Sequence, residues 1–190
     1  MSIGSRLPNF LKRNLRAGRR CRRSDTLAAI DLDRLIDSGI KGIILDLDNT
    51  IVSEDDRYIS PNSIAWIMQA KKLGLKLFML SNGKRNYRVN YWSEYLDIPA
   101  INPAKKPFPG AFRQAMRAMQ LAPARVVVIG DSLHTDLVGA WIVGCHQIQV
   151  ASLPHPPRWW EKLVGKYVQI AYPSDCELWD FQSSNYFQNN

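Results

Sequence analysis

An α/β fold built on one parallel sheet is predicted by three observations. Apolar runs of strand length alternate along the chain with helix-patterned segments of about ten residues, the signature of βαβ units. The runs are continuous rather than alternating, as strands covered on both faces must be. Several of them stop abruptly in carboxylates or small polar residues, which is where an open α/β sheet presents its ligand-binding edge. Right-handed crossovers then give five parallel strands between two layers of helices, a three-layer Rossmann-like arrangement.

The elements follow in order. Residues 24–40 supply Leu27, Ile30, Leu32, Leu35 and Ile36 to a short helix that packs on the domain, with Gly39 as its stop. Ile43, Ile44 and Leu45 make the first strand, which runs into Asp46-Leu47-Asp48-Asn49-Thr50. A polar loop, 53–60, precedes a helix opened by Pro61 and Asn62 and stopped by Gly74. Leu75 to Leu80 is the second strand and ends in Ser81-Asn82-Gly83. A basic helix over 84–96 leads to a short third strand, 98–101, and a loop, 102–107. Residues 108–120 form a helix with Phe112, Ala115, Met116 and Met119 on its inner face. Arg125 to Gly130 is the fourth strand and ends in Asp131 and Ser132. A helix over 133–143, stopped by Gly144, and a fifth strand, 146–150, complete the domain.

At 190 residues one domain with a sizeable core is expected, and 46% hydrophobic with 22% charged residues suits a globular protein. No apolar run approaches the roughly 18–20 residues of a membrane span. Residues 1–23 hold eight of the 25 Lys and Arg and none of the 17 Asp and Glu, so this arm carries the whole formal charge of +8. Its Leu7, Phe10, Leu11 and Leu15 fall at helical spacing. The arm reads as an amphipathic segment for an anionic membrane, a basic tail for nucleic acid, or a solvated tail without a partner. Cys21, Cys145 and Cys176 are odd in number and widely spaced, which fits a reducing compartment and no disulfide framework. The start lacks the apolar stretch of a secretory signal, so a cytoplasmic protein is expected, with an organelle transit peptide as the alternative for the Arg-rich start.

Four strand ends carry groups that could serve one reaction. Asp46 and Asp48 give a carboxylate that can attack phosphorus and one that can move protons. Ser81 could bond a phosphoryl oxygen, and the ammonium of Lys105 or Lys106 could offset phosphoryl charge. Asp131 and Asp136 add hard oxygens suited to Mg²⁺. Each group has an ordinary structural reading: Ser81-Asn82-Gly83 as a turn, the lysines as a solvated loop, Asp131 and Asp136 as helix caps. Those readings would all have to hold at the same edge of one sheet.

The ordered set DLDNT (46–50), Ser81, Lys106 before Pro107, and GDSLHTD (130–136) resembles the haloacid dehalogenase (HAD) superfamily of phosphohydrolases. The resemblance implies Asp46 as nucleophile and metal ligand, and Asp48 as general acid and base with its backbone carbonyl on the metal. It implies Ser81, with Asn82 beside it, and Lys106 as ligands of the phosphoryl group. Asp131 would be the third protein ligand of Mg²⁺, with Thr50 and Asp136 supporting the site. About 30 residues separate Asp48 from Ser81 and 22 separate Gly83 from Lys106, each filled by a helix and a strand, so no cap domain is expected. GIKGIILDLDNTIV, SNGKRNYRV, AKKPFPGAF and VVVIGDSLHTDLVGA are further similar to the YqeG-like branch, subfamily IIIA, which includes phosphatidylglycerophosphate phosphatases.

These readings divide the chain into a basic arm (1–23), a phosphatase domain (24–155) and an aromatic and basic extension (156–190). In the extension, Trp159, Trp160, Leu163, Val164 and Tyr167 recur at helical spacing beside Arg158, Lys162 and Lys166. They suit a membrane interface or a helix packed on the domain. The expected function is Mg²⁺-dependent hydrolysis of a phosphomonoester through an aspartyl-phosphate, with phosphatidylglycerophosphate as substrate. The expected partners are the anionic phospholipid and an anionic membrane met by the arm. A phosphatase of nucleic-acid ends or of a phosphoprotein is the alternative enzyme, and an RNA- or ribosome-binding protein the non-catalytic alternative.

Overall fold

The computed structural model describes residues 22–157, 163 and 167–180. The amphipathic arm therefore lies outside the described residues up to 21, as does most of the aromatic stretch 158–166.

The chain runs β1 (Arg22–Ser24), α1 (Leu32–Asp37), β2 (Gly42–Asp46), β3 (Tyr58–Ile59), α2 (Ser63–Lys72), β4 (Lys76–Leu80), α3 (Asn86–Leu96) and β5 (Ala100–Ile101). It continues through α4 (Pro109–Met119), a 3₁₀ turn (Pro123–Arg125), β6 (Val126–Gly130), a π-helical turn (Leu133–Leu137) and α5 (Val138–Val143). It then forms β7 (His146–Ser152), β8 (Ile170–Ala171) and β9 (Trp179–Asp180). The main sheet has the order β1-β7-β6-β2-β4-β5, and β8 also pairs with β7. Every pairing in it is parallel.

The five expected strands are β2, β4, β5, β6 and β7. Two more join at the β7 edge. β1 pairs with Ile148 to Val150, and β8 pairs with Ala151 and Ser152, just beyond the stretch of β7 that β6 covers. Neither has a strand pattern of its own; the open edge of β7 supplies the backbone partners that make them strands. The third strand is shorter than expected, and the helix expected over 133–143 begins as the π-helical turn.

Side chains alternate across the sheet with period two, which divides the core into two layers. Ile43, Leu45, Leu77, Met79, Val127 and Ile129 face one cluster, capped by Trp66, Ile67 and Ala70 of α2 and Val89, Trp92 and Leu96 of α3. Ile44, Phe78, Leu80, Val126 and Val128 face the other, capped by Phe112, Ala115, Met116 and Met119 of α4 and Ala140 of α5. Burial on both sides pins the register of β2, so Asp46 is delivered to the carboxyl edge of the sheet.

The connection from β2 to β4 holds only the short hairpin and α2, and that from β4 to α4 only α3 and β5. No cap is inserted at either place. The hairpin strand β3 is covered instead by β9, which pairs with it antiparallel. Among the described residues no helix is long and apolar enough to cross a membrane.

Candidate active site

Asp46 closes β2 and is 6% exposed. Its Oδ1 accepts two donors, the Leu47 backbone N–H at 2.8 Å and the Lys106 ammonium at 2.6 Å. Among the described residues no donor reaches its Oδ2. Burial pushes this carboxyl well above the ordinary aspartate range, and the charge of Asp136 adds to the effect while Lys106 opposes it.

Lys106 is the cationic centre of the site. It is buried, and its Nζ also donates to Asp136 Oδ1 at 2.6 Å. Burial alone would lower its pKa, but Asp136 and Asp46 together hold it above the usual lysine value. An ammonium has three N–H donors, so one remains for a substrate oxygen. The loop that carries Lys106 is clamped by Asn82, whose side chain accepts from the Lys106 N–H at 2.9 Å and donates to its carbonyl at 3.0 Å.

Asp136 sits in the π-helical turn, 1% exposed. Gly130 makes room for it: a Cβ at that glycine would lie 2.5 Å from Asp136 Cγ. Asp131 follows β6 and is held by the far side of the fold. Its Oδ2 accepts from Ser152 Oγ at 2.7 Å and Gln169 Nε2 at 2.9 Å. Gln149 Nε2 donates to the Asp131 carbonyl at 2.9 Å and to the Val168 carbonyl at 3.1 Å. Burial and the charge of Asp136 push the Asp131 carboxyl up to about 6, against the lowering effect of the Ser152 and Gln169 donors.

Asp48 lies at the rim of this cluster. Its Oδ1 takes the Arg88 guanidinium and its Oδ2 the Ser81 hydroxyl at 3.0 Å. The next residue, Asn49, turns the chain at φ +59°, a left-handed conformation asparagine tolerates. Arg88 is itself buried and also donates to the hairpin, to Asp56 and to the Ser53 carbonyl at 2.8 Å.

Asp46, Asp131 and Asp136 thus offer ligand oxygens within 4.8 Å of one another. Lys106 is the ammonium bonded to two of the three carboxylates, so the cluster carries an excess of buried negative charge. An all-oxygen donor set with excess negative charge fits a hard divalent cation such as Mg²⁺.

The structure brings together Asp46, Asp48, Lys106, Asp131 and Asp136 as the sequence predicts, but gives two of the expected groups other partners. The Ser81 hydroxyl has its one proton on Asp48 and accepts the Gly83 N–H at 2.8 Å, so it meets the carboxylate rather than lying open for a phosphoryl oxygen. Asn82 spends its side chain on the lysine loop. Thr50 is buried with no partner for its hydroxyl among the described residues. Lys105 is exposed and takes no part, whereas Lys106 does. Arg88, Ser152 and Gln169 were not expected. For Arg88 a signal existed: it lies one helical turn after Arg85 on the segment that follows β4. For Ser152 and Gln169 none did.

The raised Asp131 carboxyl has a measurable consequence. An unfolded aspartate ionises near 3.8 and this one near 6, so the folded protein holds more protons in that window. Stability of the metal-free protein therefore falls as pH rises through it. Without divalent ions, Asp131→Asn is expected to melt a few degrees above the wild type at pH 7.5. The gap should narrow by pH 4.5, as thermal melts at the two pH values would record. A gap independent of pH would mean that Asp131 carries no buried charge.

Comparison with known proteins finds phosphatases among the relatives that this chain resembles in sequence. A HAD-hydrolase-like family model matches residues 103–167. Over 118 residues the chain is 42% identical to the probable phosphatase YqeG of Bacillus subtilis (strain 168), covering 62% of this chain and 68% of that protein. It is 24% identical to the glyceraldehyde 3-phosphate phosphatase of Pyrococcus furiosus, covering 58% of this chain and 44% of that protein. In fold it matches a HAD phosphatase from Thermococcus onnurineus with a TM-score of 0.53 at 16% identity, over 63% of this chain and 90% of that one.

Proposed function

The chain belongs to the YqeG-like phosphatases of the HAD superfamily, and from that premise we propose that it removes the terminal phosphate of phosphatidylglycerophosphate in a Mg²⁺-dependent reaction. The observation that carries this reading is the buried group Asp46, Lys106, Asp131 and Asp136 at a sheet edge that no inserted domain covers. A site without a cap suits a phosphate presented at a surface, as on a lipid headgroup.

The Asp46 and Asp131 carboxylates and the Asp48 backbone carbonyl are the groups that would hold Mg²⁺. When bound, such an ion offsets the negative charge of the phosphoryl oxygens and of the carboxylates around it.

The chain's own residues account for the rest. Asp46 attacks phosphorus with the Oδ2 that no donor reaches, while Leu47 N–H and Lys106 hold Oδ1 and fix the carboxylate plane. The bond from phosphorus to the glycerol oxygen breaks, and Asp48 delivers a proton to that oxygen. Lys106 turns its third N–H to the phosphoryl group while Asp136 and Asp46 keep the ammonium charged. Asp48 then takes a proton from water, whose oxygen attacks phosphorus. Phosphate leaves and Asp46 is restored. Ser81 and Arg88 orient Asp48 through both steps.

The test is phosphate release from phosphatidylglycerophosphate in mixed micelles with Mg²⁺, beside an oligonucleotide bearing a terminal phosphate. Release from the lipid, absent with EDTA, supports the reading. Turnover of the oligonucleotide with the lipid untouched moves the protein to the alternative substrate class and leaves the chemistry as described.

A further inference from the structure

Each of the loops that follow β4, β5 and β6 delivers buried polar groups to the site and then projects exposed ones outward. The β4 loop supplies Ser81, then Lys84 and Tyr87, the latter 69% exposed in the first turn of α3. The β5 loop supplies Lys106, flanked by exposed Lys105 and by Phe108, 71% exposed. The β6 loop supplies Asp131 and Asp136, with Leu133, 38% exposed, and His134 between them. Nothing in the packing of the domain calls for large apolar side chains there, since both core layers are closed beneath.

The loops are joined to one another. Asn102 Nδ2 donates to Asn86 Oδ1 at 2.6 Å, and Asn82 grips the Lys106 backbone, so the β4 and β5 loops lie side by side. Lys106 reaches Asp136, and the Pro107 carbonyl approaches α5 so closely that a Cβ at Gly139 would lie 3.3 Å from it. The β5 loop thus bridges the other two.

Outside the buried carboxylates Asp131 and Asp136, the charge along these loops has one sign. Residues 81–88, 102–109 and 132–135 contain Lys84, Arg85, Arg88, Lys105 and Lys106 and no acid. Apart from Asp46, Asp48, Asp131 and Asp136 of the site itself, the acids at this edge lie in the hairpin loop after β2. There Asp56 is paired with Arg85 and Arg88, and Asp55 is turned back onto Ser53 and the Arg57 N–H.

We propose that the rim formed by Tyr87, Phe108 and Leu133 with Lys84 and Lys105 is a docking surface for an anionic lipid bilayer. It would seat the catalytic edge of the sheet directly on the headgroups. Aromatic rings at the mouth enter the interfacial zone, and the two lysines meet lipid phosphates or carboxylates. A single-stranded nucleic acid could use the lysines and stack on the two rings, but it offers no apolar phase to Leu133, which a bilayer does. This surface is separate from the basic arm, and it deepens, and rests on, the lipid-substrate reading above.

Binding can be measured without turnover. The full chain is sedimented with phosphatidylcholine vesicles containing or lacking phosphatidylglycerol, without divalent ions. The wild type should partition onto the anionic vesicles. Tyr87→Ser/Phe108→Ser should bind roughly tenfold or more weakly, because each ring loses its apolar burial in the interface. Its hydrolysis of a small soluble phosphate ester should stay within about twofold, since neither ring touches the buried cluster. Lys84→Gln/Lys105→Gln should bind the anionic vesicles roughly tenfold more weakly, with the basic arm left intact, and the wild-type preference should weaken in high salt. If the double aromatic variant fails to fold, Phe108→Ser alone carries the test through the same comparison. Vesicle binding unchanged by these substitutions overturns the surface, even if phosphatidylglycerophosphate is hydrolysed. So does loss of RNA binding in the rim variants with vesicle binding intact. Rim-dependent binding with phosphatidylglycerophosphate untouched keeps the surface and removes the substrate.

Discussion

Asp46→Asn is expected to lose roughly 10⁴-fold or more of kcat on any phosphate ester while folding as well as the wild type, since a nucleophile removed from a covalent route leaves only binding and electrostatic assistance. Geometry separates the two effects. Oδ1 carries both hydrogen bonds to Asp46, from the Leu47 N–H and from Lys106, and an asparagine carbonyl can accept both. The amide nitrogen then takes the place of Oδ2, which has no donor facing it for an N–H to oppose. The substitution also removes a carboxylate whose ionised form burial already disfavours. A melting temperature at or above that of the wild type should therefore accompany the loss of turnover. Single-turnover measurement on the wild type should trap phosphate on the protein, and on the variant none. Residual activity within about tenfold of the wild type would remove the covalent route and leave direct attack by water, with Asp48 as the base.

Lys106→Met is expected to be the most destabilising single change in the site. Lys106 Nζ lies 2.6 Å from Oδ1 of both Asp46 and Asp136, and all three side chains are buried. Removing one partner of a buried ion pair costs about 3–5 kcal/mol, because the remaining charge is left without compensation. Here two carboxylates would face each other across the gap. A loss of that size lowers the melting temperature by roughly 10 °C or more in a domain of this size. Adding Asp136→Asn should restore part of the loss, because one of the two opposed charges is gone. The coupling between the sites, read from a double-mutant cycle, should be clearly non-additive. Additive effects would mean that Lys106 is not the group that holds Asp136 in the fold. Activity stays lost in the double variant, since the phosphoryl group still lacks its cation.

The parts of the site that were legible in the sequence are those set by local pattern. GIILD reads as a buried strand ending in a carboxylate because every residue in it is apolar until Asp46, and burial on both faces leaves one register. Lys106 and Asp131 could be found for the same reason, each following a strand. What the sequence hid depends on pairs brought together late. Gln169 meets Asp131 across 38 residues and Ser152 across 21, and neither residue type announces a role at such a distance. β1, made of Arg22, Arg23 and Ser24, carries no apolar alternation; it is a strand because β7 presents an open edge. The Ser81 hydroxyl reads as a phosphate ligand in isolation, and only the position of Asp48 reveals where its proton goes.

The pairing of β9 with β3, together with Gln169 on Asp131, sets a timetable for the growing polypeptide. Asp46 and Asp48 leave the ribosome early, but the strand that covers their hairpin is Trp179–Asp180. At about 5–20 residues per second, on the order of ten seconds of translation separate the two events. During that interval the nascent chain carries its nucleophile without Gln169 on Asp131 and without β9 over the hairpin. A chain that has not yet emerged through Gln169 therefore holds Asp131 without that donor, and until Asp180 emerges the β3 hairpin stays without its antiparallel cover.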